Sequence, residues 1–183
     1  MYIDIIIEGG LIDMTDHAVQ AFYFQSNHGI PNHPKWPVLV YPQAFQKNPA
    51  QTESIFNQHH WLNSWTNGVF DYHHYHSNAH EVLGVISGHV TVQLGGEEGK
   101  VFTLQTGDVV VLPAGTGHKR LSASSDFRIV GAYPDGMSYN TRTPTDKEKE
   151  HATALAEISH VPLPKIDPVY GPKGPLLQYW HSH

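Results

Sequence analysis

Two histidines and a glutamate stand at spacings that could bring their side chains together. His74 and His76 are two residues apart, so on a β-strand their imidazoles leave the same face. Residues 77–79 can form a turn, after which Glu81 begins the next strand. Two imidazoles and a carboxylate that converge in this way are typical ligands of a first-row transition metal.

A second segment, GDVVVLPAGTGH, supplies a further histidine. Its hydrophobic run at 109–112 predicts a buried strand, and the Pro-Ala-Gly sequence at 113–115 predicts a turn. His118 then starts another strand, which in a β-barrel would lie beside the strands that carry His74, His76 and Glu81. Three imidazoles and a carboxylate at one point are costly to bury otherwise. We therefore predict that the four residues bind a metal, rather than forming a hydrogen-bonded polar cluster without one.

The predicted cofactor is one divalent transition metal per chain. Imidazole and carboxylate ligands suit Fe, Mn, Ni and Zn alike, so the identity stays open among them. Four protein ligands leave one or two positions of a five- or six-coordinate ion for water, substrate or O₂. The chain has 15 histidines, and the spacing selects three of them for this role.

No second general base stands out near these residues. Tyr72 has the same strand parity as His74 and is the candidate catalytic residue, although an aromatic residue on a barrel strand is more often part of the core. Phe70 extends the same face and leaves the same alternatives. His73 and His80 have the opposite parity, which predicts packing on the outer surface or at an interface.

Aromatic and charged residues on neighbouring strands have simpler expected roles. Tyr133 and Trp65 are predicted to be packing residues. Lys119 and Arg120 follow His118 on opposite faces, and two alternatives are open: one of them could guide an anionic substrate, or both are simply solvated.

These residues need a framework of short β-strands. Glycine turns punctuate the middle of the chain and predict six strands, at 81–86, 89–94, 100–105, 108–112, 118–122 and 127–133. Many short antiparallel strands with regular turns indicate a sandwich or a barrel. Two helices are predicted to flank them, at 50–61 and at 144–157, the second with Thr143 as N-cap and Pro144 at its first position.

The chain is predicted to form a single domain at residues 22–183, preceded by an extension at 1–21. The IDIII run in that extension looks like an edge strand that could pair with another copy, which favours a homodimer. After the core motifs at 68–122, residues 143–183 are predicted to hold a helix and a proline-rich arm. The arm, 161–177, is expected to lie extended over a surface.

Composition excludes several classes of function. The formal net charge of −6 disfavours a nucleic-acid partner, because phosphate binding needs a basic surface. With no cysteine, the chain cannot form disulfides, zinc ribbons, iron–sulfur ligands or thiol nucleophiles. The N-terminus lacks the basic start of a signal peptide, and no apolar run is long enough to span a bilayer. We predict a cytoplasmic protein without nucleic-acid or membrane partners.

The two histidine segments resemble the paired motifs of the cupin superfamily. Residues 68–88 match G-x5-H-x-H-x4-E-x6-G at every defined position, and residues 107–118 match G-x5-P-x-G-x2-H. The departure is Ser122, where the cupin pattern often has asparagine at a position that is not a ligand. From Phe22 to the C-terminus, stretches such as NSWTNGVFDYHHYHSNAHEVLGV and VPLPKIDPVYGPKGPLL are similar to the YjlB-like bacterial cupins, a family without an established reaction.

This resemblance implies an all-β fold with short flanking helices, the double-stranded β-helix or jelly-roll barrel. Carried over position by position, the family's metal ligands correspond to His74, His76, Glu81 and His118. The resemblance also implies pairing of barrels, in agreement with a homodimer.

Two classes of function are open from the sequence. The first is a metal-dependent enzyme, an oxidoreductase or isomerase that acts on a small oxygenated molecule by dioxygenase-, isomerase- or decarboxylase-type chemistry. The alternative is a non-catalytic module that binds a small ligand or the metal itself in the barrel mouth. A third hypothesis, prompted by the histidine count, is metal storage.

Overall fold

A computed structural model describes residues 18–181 of the protein. Within that range the strands are β1 (Gln20–Phe22), β2 (Val38–Tyr41), β3 (Trp61–Asn67), β4 (Glu81–Ser87), β5 (His89–Leu94), β6 (Lys100–Gln105), β7 (Val109–Leu112), β8 (His118–Ala123) and β9 (Arg128–Pro134). The helices are α1 (Thr52–Gln58), α2 (Glu148–His160) and α3 (Leu176–Tyr179), and a 3₁₀ turn (Pro49–Gln51) precedes α1. The IDIII segment lies outside the described residues, so its role as an edge strand stays a prediction.

The predicted β framework is confirmed, since the six expected strands are β4 to β9. Three further strands, β1 to β3, join them. A six-stranded sheet has the order β1-β2-β7-β4-β9-β3, and a three-stranded sheet has the order β6-β5-β8. The paired strands within both sheets run antiparallel. The fold is therefore the mostly β cupin architecture that the resemblance implied.

The four central strands of the six-stranded sheet, β2, β7, β4 and β9, are buried on both faces, which explains their continuous hydrophobic runs. Leu83 pairs with Val110, and both face a cluster shared with the three-stranded sheet. The adjacent pair, Val82 and Val111, points the other way into a cluster that includes Phe56 of α1. Since successive side chains of a strand alternate between faces, a sheet covered on both sides needs apolar residues at every position.

Both predicted helices form, but their bounds differ from the prediction. Helix α1 ends at Gln58, and Trp61, the last residue predicted for it, begins β3. Helix α2 starts at Glu148, not at Pro144. The preceding residues are held extended: Arg142 pairs with the backbone of Tyr75, and the amide of Thr145 donates to a carbonyl of the loop before β2. These contacts hold the backbone of this stretch in a path that is not helical. None of the helices within residues 18–181 is long and apolar enough to cross a membrane.

The segment after α2 enters the core rather than lying on a surface. Asp167 is fully buried and accepts hydrogen bonds from the Tyr41 hydroxyl at 2.7 Å and from the Leu176 amide at 3.0 Å. Leu176 and Trp180 belong to the core cluster on the α1 side of the large sheet. The last two residues of the predicted extended arm instead begin α3.

Candidate metal centre

The four predicted ligands meet at one end of the space between the two sheets. Glu81 is the first residue of β4 and shares a face with Leu83, while His118 is the first residue of β8, both as predicted. His74 and His76 lie in an irregular segment before β4 rather than in a regular strand. The backbone of His74 is nevertheless paired with His118 by hydrogen bonds in both directions, at 3.2 and 2.9 Å.

The distances among these side chains are short. The Nε2 atom of His76 lies 3.2 Å from Oε2 of Glu81, and that of His118 lies 3.4 Å from the same oxygen. One ring nitrogen from each histidine, His74 included, lies within 4.8 Å of those of the other two. The largest exposed fraction among the four residues is 7%. They therefore surround a point that is screened from solvent.

Each of the three histidines is held through Nδ1 by a backbone carbonyl. The acceptors for His74, His76 and His118 are, in that order, the carbonyls of Tyr72 at 3.0 Å, Asn140 at 2.5 Å and Thr116 at 3.0 Å. A carbonyl oxygen only accepts, so each Nδ1 must carry a hydrogen, and a neutral imidazole then presents its lone pair at Nε2. Carbonyl partners of this kind orient metal-binding histidines in proteins.

Burial and mutual charge set the protonation states. Burial lowers the pKa of His74 and takes that of His118 to about 3. At His76, burial also acts to lower the pKa, but the charge of Glu81 and its hydrogen bonds outweigh burial and raise it. At Glu81, burial acts to raise the pKa, but the neighbouring His76 and His118 and a hydrogen bond from Tyr133 outweigh it and lower the pKa. At neutral pH, Glu81 is ionised while His74 and His118 are neutral.

The donor set fits a divalent metal ion. Oε2 of Glu81 is buried and accepts no hydrogen bond from any residue between 18 and 181. The Nε2 atom of His118 turns a lone pair, not a hydrogen, toward this oxygen, and the Nε2 atom of His76 does the same in the neutral form of its ring. A charged buried oxygen that faces lone pairs is costly, and a cation among these atoms would remove the cost. His74, His76, Glu81 and His118 are the residues that could hold it.

Tyr133 and Trp65, which were expected only to pack, also form a hydrogen-bond relay to Glu81. The Trp65 Nε1–H donates to the Tyr133 oxygen at 2.8 Å, and the Tyr133 hydroxyl donates to Oε1 of Glu81 at 3.0 Å. Burial, followed by the charge of Glu81, raises the pKa of Tyr133 far above its ordinary value, so the hydroxyl keeps its proton. Strand parity could have found Tyr133, since it shares a face of β9 with the buried Ile129.

A second polar group after β9 holds the carbonyl that orients His76. The Asn140 side chain donates to Ser77 Oγ at 2.7 Å and accepts from the Ser77 amide at 2.9 Å. The Ser77 hydroxyl in turn donates to Glu157 of α2, and Arg142 donates to the same carboxylate at 2.9 Å. No sequence motif signals this group, because its members come from segments that only the fold brings together.

A cavity of about 300 Å³ opens from the four residues toward the surface. Its other lining residues include Trp65, Phe70, Tyr133, Tyr139 and Thr141. Tyr72 is not among the described lining residues. It is 44% exposed and stacks on Phe70 with ring centroids 5.0 Å apart, so it does not belong to the core, and its catalytic role stays a prediction. Lys119 and Arg120 are also outside the described lining.

His80 is buried inside the protein rather than on an outer surface. Its ring lies 5.6 Å from that of Trp36 and 4.9 Å from that of Trp180, and its Nδ1 accepts the Ala114 amide at 2.9 Å. His73 is also buried, with 8% of its surface exposed. His73 and His80 therefore lie outside the ligand cluster, as their opposite strand parity predicted. The sequence did not indicate that other parts of the chain would bury them.

Two comparisons with known proteins concern the family of the chain. Residues 65–129 match the cupin domain family. The chain is also 44% identical to the uncharacterized protein YjlB of Bacillus subtilis (strain 168) over 165 residues, which cover 90% of this chain and 98% of that protein.

Several solved structures are distantly similar. The WlaRB TDP-quinovose 3,4-ketoisomerase from Campylobacter jejuni is 15% identical with a TM-score of 0.39, over 50% of this chain and 74% of that one. Acireductone dioxygenase from Bacillus anthracis, with a cadmium ion in its active centre, is 18% identical with a TM-score of 0.35, over 51% of this chain and 60% of that one. The 7S globulin of Momordica charantia is 20% identical with a TM-score of 0.36, over 44% of this chain and 25% of that one. Similarities this weak carry no information about the chemistry of this chain.

Proposed function

The chain belongs to the cupin family of Bacillus subtilis YjlB, and on that premise we propose that it is a metal-dependent enzyme acting on a small oxygenated molecule. One observation carries the proposal: backbone carbonyls hold Nδ1 of His74, His76 and His118, so the neutral rings direct their Nε2 lone pairs toward one point, near an oxygen of Glu81 that accepts no hydrogen bond. Such a group has no use in packing, because it buries a carboxylate whose Oε2 atom accepts no hydrogen bond. It suits one divalent Fe, Mn, Ni or Zn ion.

A divalent ion at this site would supply a Lewis acid for a substrate oxygen. The residues of the chain prepare the site in other respects. The backbone carbonyls fix the orientation of the imidazoles. The Tyr133 hydroxyl donates a hydrogen bond to Oε1 of Glu81, which leaves Oε2 directed at the histidine nitrogens. The rings of Phe70 and Tyr139 line the cavity beside these residues.

The reaction that we propose is of dioxygenase, isomerase or decarboxylase type. All three need a small oxygenated substrate in a site shielded from bulk water. The cavity volume of about 300 Å³ lies at the lower end of the range for small-molecule sites, so it suits a small substrate. The Tyr133 hydroxyl is the protonated group that lies against the ligand set.

A binding module without catalysis is the second candidate, and one observation favours it. Among residues 18–181, Glu81 is the only carboxylate that lines the cavity, and no lysine lines it. A separate general base of the usual kind is therefore missing from the described lining.

Metal loading and turnover test the proposal together. Wild type, His76→Ala, Glu81→Gln and the control His89→Ala, which changes an exposed histidine of β5, are each loaded with Fe(II), Mn(II), Ni(II) or Zn(II). Bound metal is measured by mass spectrometry, and small oxygenated molecules are screened for turnover and O₂ uptake. We expect one ion per chain in wild type and in His89→Ala, weak binding in the other two, and turnover only in the loaded proteins.

The possible results separate the hypotheses. Equal metal content in wild type and His76→Ala would refute the site. Tight metal binding with no turnover, together with strong thermal stabilisation by one metabolite, would favour the binding module. Several weak ions per chain in place of a single tight one would favour metal storage.

We also propose that the protein is a homodimer. The support within the described residues is that β1 is an edge strand of the large sheet, which pairs with β2 alone. A mass in solution equal to that of one chain would contradict this.

A further inference from the structure

We infer that the ligand of this site is a small planar molecule that carries one aromatic or conjugated ring and a single negative charge on its chelating oxygens. This inference rests on the proposed metal site and adds to it the class of ligand. Two features of the cavity lead to it: the charges of its lining and the aromatic rings at its mouth.

The charges favour a monoanion. A divalent ion with one carboxylate, Glu81, and three neutral imidazoles has a net charge of +1. No lysine, arginine or aspartate in the stretch from 18 to 181 lines the cavity, so nothing else there offsets an added charge. A ligand with one negative charge leaves the site neutral, whereas a dianion leaves an uncompensated charge beside four buried ligand residues, which is costly.

The mouth carries two exposed aromatic rings. Phe70 is 53% exposed and Tyr139 is 42% exposed, although both line the cavity. Each also touches the donor set: the Phe70 ring centroid lies 5.1 Å from that of His74, and the Tyr139 ring centroid lies 5.0 Å from that of His76. Exposed apolar rings beside a buried polar site are typical of a ligand-binding mouth.

Both rings are held in place. Phe70 stacks on Tyr72 with centroids 5.0 Å apart and planes 18° from parallel. Tyr139 stacks on Tyr133 with centroids 4.3 Å apart and planes also 18° from parallel. A held ring loses little freedom when a ligand packs on it, so these faces are prepared to receive a flat apolar group. The volume of about 300 Å³ leaves room for one ring and its chelating group.

Two hydroxamates test this inference, since they share a chelating group and differ in the ring. Benzohydroxamate carries a phenyl ring, and acetohydroxamate carries a methyl group. Calorimetry on the protein loaded with Zn(II) or Ni(II) gives the Kd of each, with oxalate as the dianion without a ring. We expect benzohydroxamate to bind roughly ten-fold more tightly than acetohydroxamate, since each aromatic contact contributes roughly two- to twelve-fold in Kd. Oxalate should bind more weakly than benzohydroxamate.

Variants separate the rings from the metal. Phe70→Ala and Tyr139→Ala should each weaken benzohydroxamate by roughly two- to twelve-fold and leave acetohydroxamate unchanged. Tyr139→Phe keeps the ring and should bind both probes as wild type does. Tyr23→Ala removes a ring that is 68% exposed outside the cavity, and serves as the matched control.

Metal content, measured on every sample, distinguishes the two ways of failing. If the protein binds the metal but the two hydroxamates bind equally, or Phe70→Ala and Tyr139→Ala match Tyr23→Ala, the inference about the ligand is wrong and the metal site stands. Tighter binding of oxalate than of benzohydroxamate would overturn the charge argument. If wild type binds no metal, the proposed function and this inference fail together.

Discussion

Replacing Tyr133 with phenylalanine tests the hydroxyl that holds Glu81 in position. This hydroxyl accepts a hydrogen bond from Trp65 and donates one to Oε1 of Glu81, at 2.8 and 3.0 Å. Tyr133 is fully buried and Glu81 is 2% exposed, so water does not readily replace the lost bonds. The substitution keeps the ring and its packing, and therefore isolates the two hydrogen bonds.

The expected effect follows from these two bonds. A neutral hydrogen bond contributes about 1 kcal/mol to stability, and one to a charged group about 1.5–3 kcal/mol. We therefore expect the metal-free variant to lose about 3 kcal/mol in the free energy of unfolding. For a chain of this size that corresponds to a fall of about 6–12 °C in Tm. Because Glu81 also loses the group that orients it, metal affinity should fall roughly 10- to 100-fold.

Two measurements check this expectation. Urea unfolding of the metal-free proteins gives the stability difference, and competition with a chelator gives the metal Kd. The matched control is Tyr139→Phe, which removes a hydroxyl from the exposed ring stacked on Tyr133 and should change neither quantity. If Tyr133→Phe is as stable as that control, the hydroxyl does not form the relay. If its stability falls but the metal Kd does not change, Tyr133 supports the fold without orienting Glu81.

Three further predictions concern the fold around the site. In Asp167→Asn the new amide N–H group faces the Tyr41 hydroxyl or the Leu176 amide, which are themselves donors. The free energy of unfolding in urea should therefore fall by about 2–4 kcal/mol. An unchanged urea midpoint would contradict the conclusion that Asp167 holds this segment in the core. Burial, and then the charge of Lys35, lowers the pKa of His33 to about 4. Between this pKa and the ordinary value, the unfolded chain binds a proton that the folded chain does not. The contribution of His33 to the free energy of unfolding is therefore fully present above pH 6.5 and falls by up to about 3 kcal/mol toward pH 4. Unfolding across this pH range should therefore show a shallower loss for His33→Asn than for wild type, and equal slopes would exclude His33 as the cause. Gly115 has φ +92°, and an added Cβ would meet the Ile158 side chain at 2.6 Å, so Gly115→Ala should cost at least about 1 kcal/mol by the same assay, whereas a stabilised variant would refute the strain.

The strands and the ligand cluster were accessible from the sequence because both depend on local patterns. The alternation of apolar residues and glycine turns in the middle of the chain predicted β4 to β9. The two-residue spacing of His74 and His76 and the start of strands at Glu81 and His118 were enough to indicate that the four side chains converge. Even here the local pattern was incomplete, since His74 and His76 lie in an irregular segment that is paired through the backbone of His118.

The start of α2 shows how tertiary contacts override a local signal. The Thr143–Pro144 sequence is a good beginning for a helix, but pairing of the preceding Arg142 with Tyr75 keeps the chain extended, and the helix begins at Glu148. In the same way, Leu176 was expected on a surface because it lies in the proline-rich arm, and packing against the large sheet buries it. Intrinsic helix propensity determines where a helix begins only if no stronger tertiary contact holds the same residues in another conformation.

The sequence by itself determined which residue types could meet and that a β framework would carry them, because strand parity and turn chemistry act over a few residues. The tertiary structure alone decided how the site is held and what surrounds it. Tyr133 reaches Glu81 across 52 residues of chain, and the Asn140 carbonyl reaches His76 across 64. Such contacts depend on the register of strands and on the path of the segment after β9, which are fixed by the packing of the whole barrel. The aromatic mouth and the missing cationic side chains of the described lining follow from that same packing.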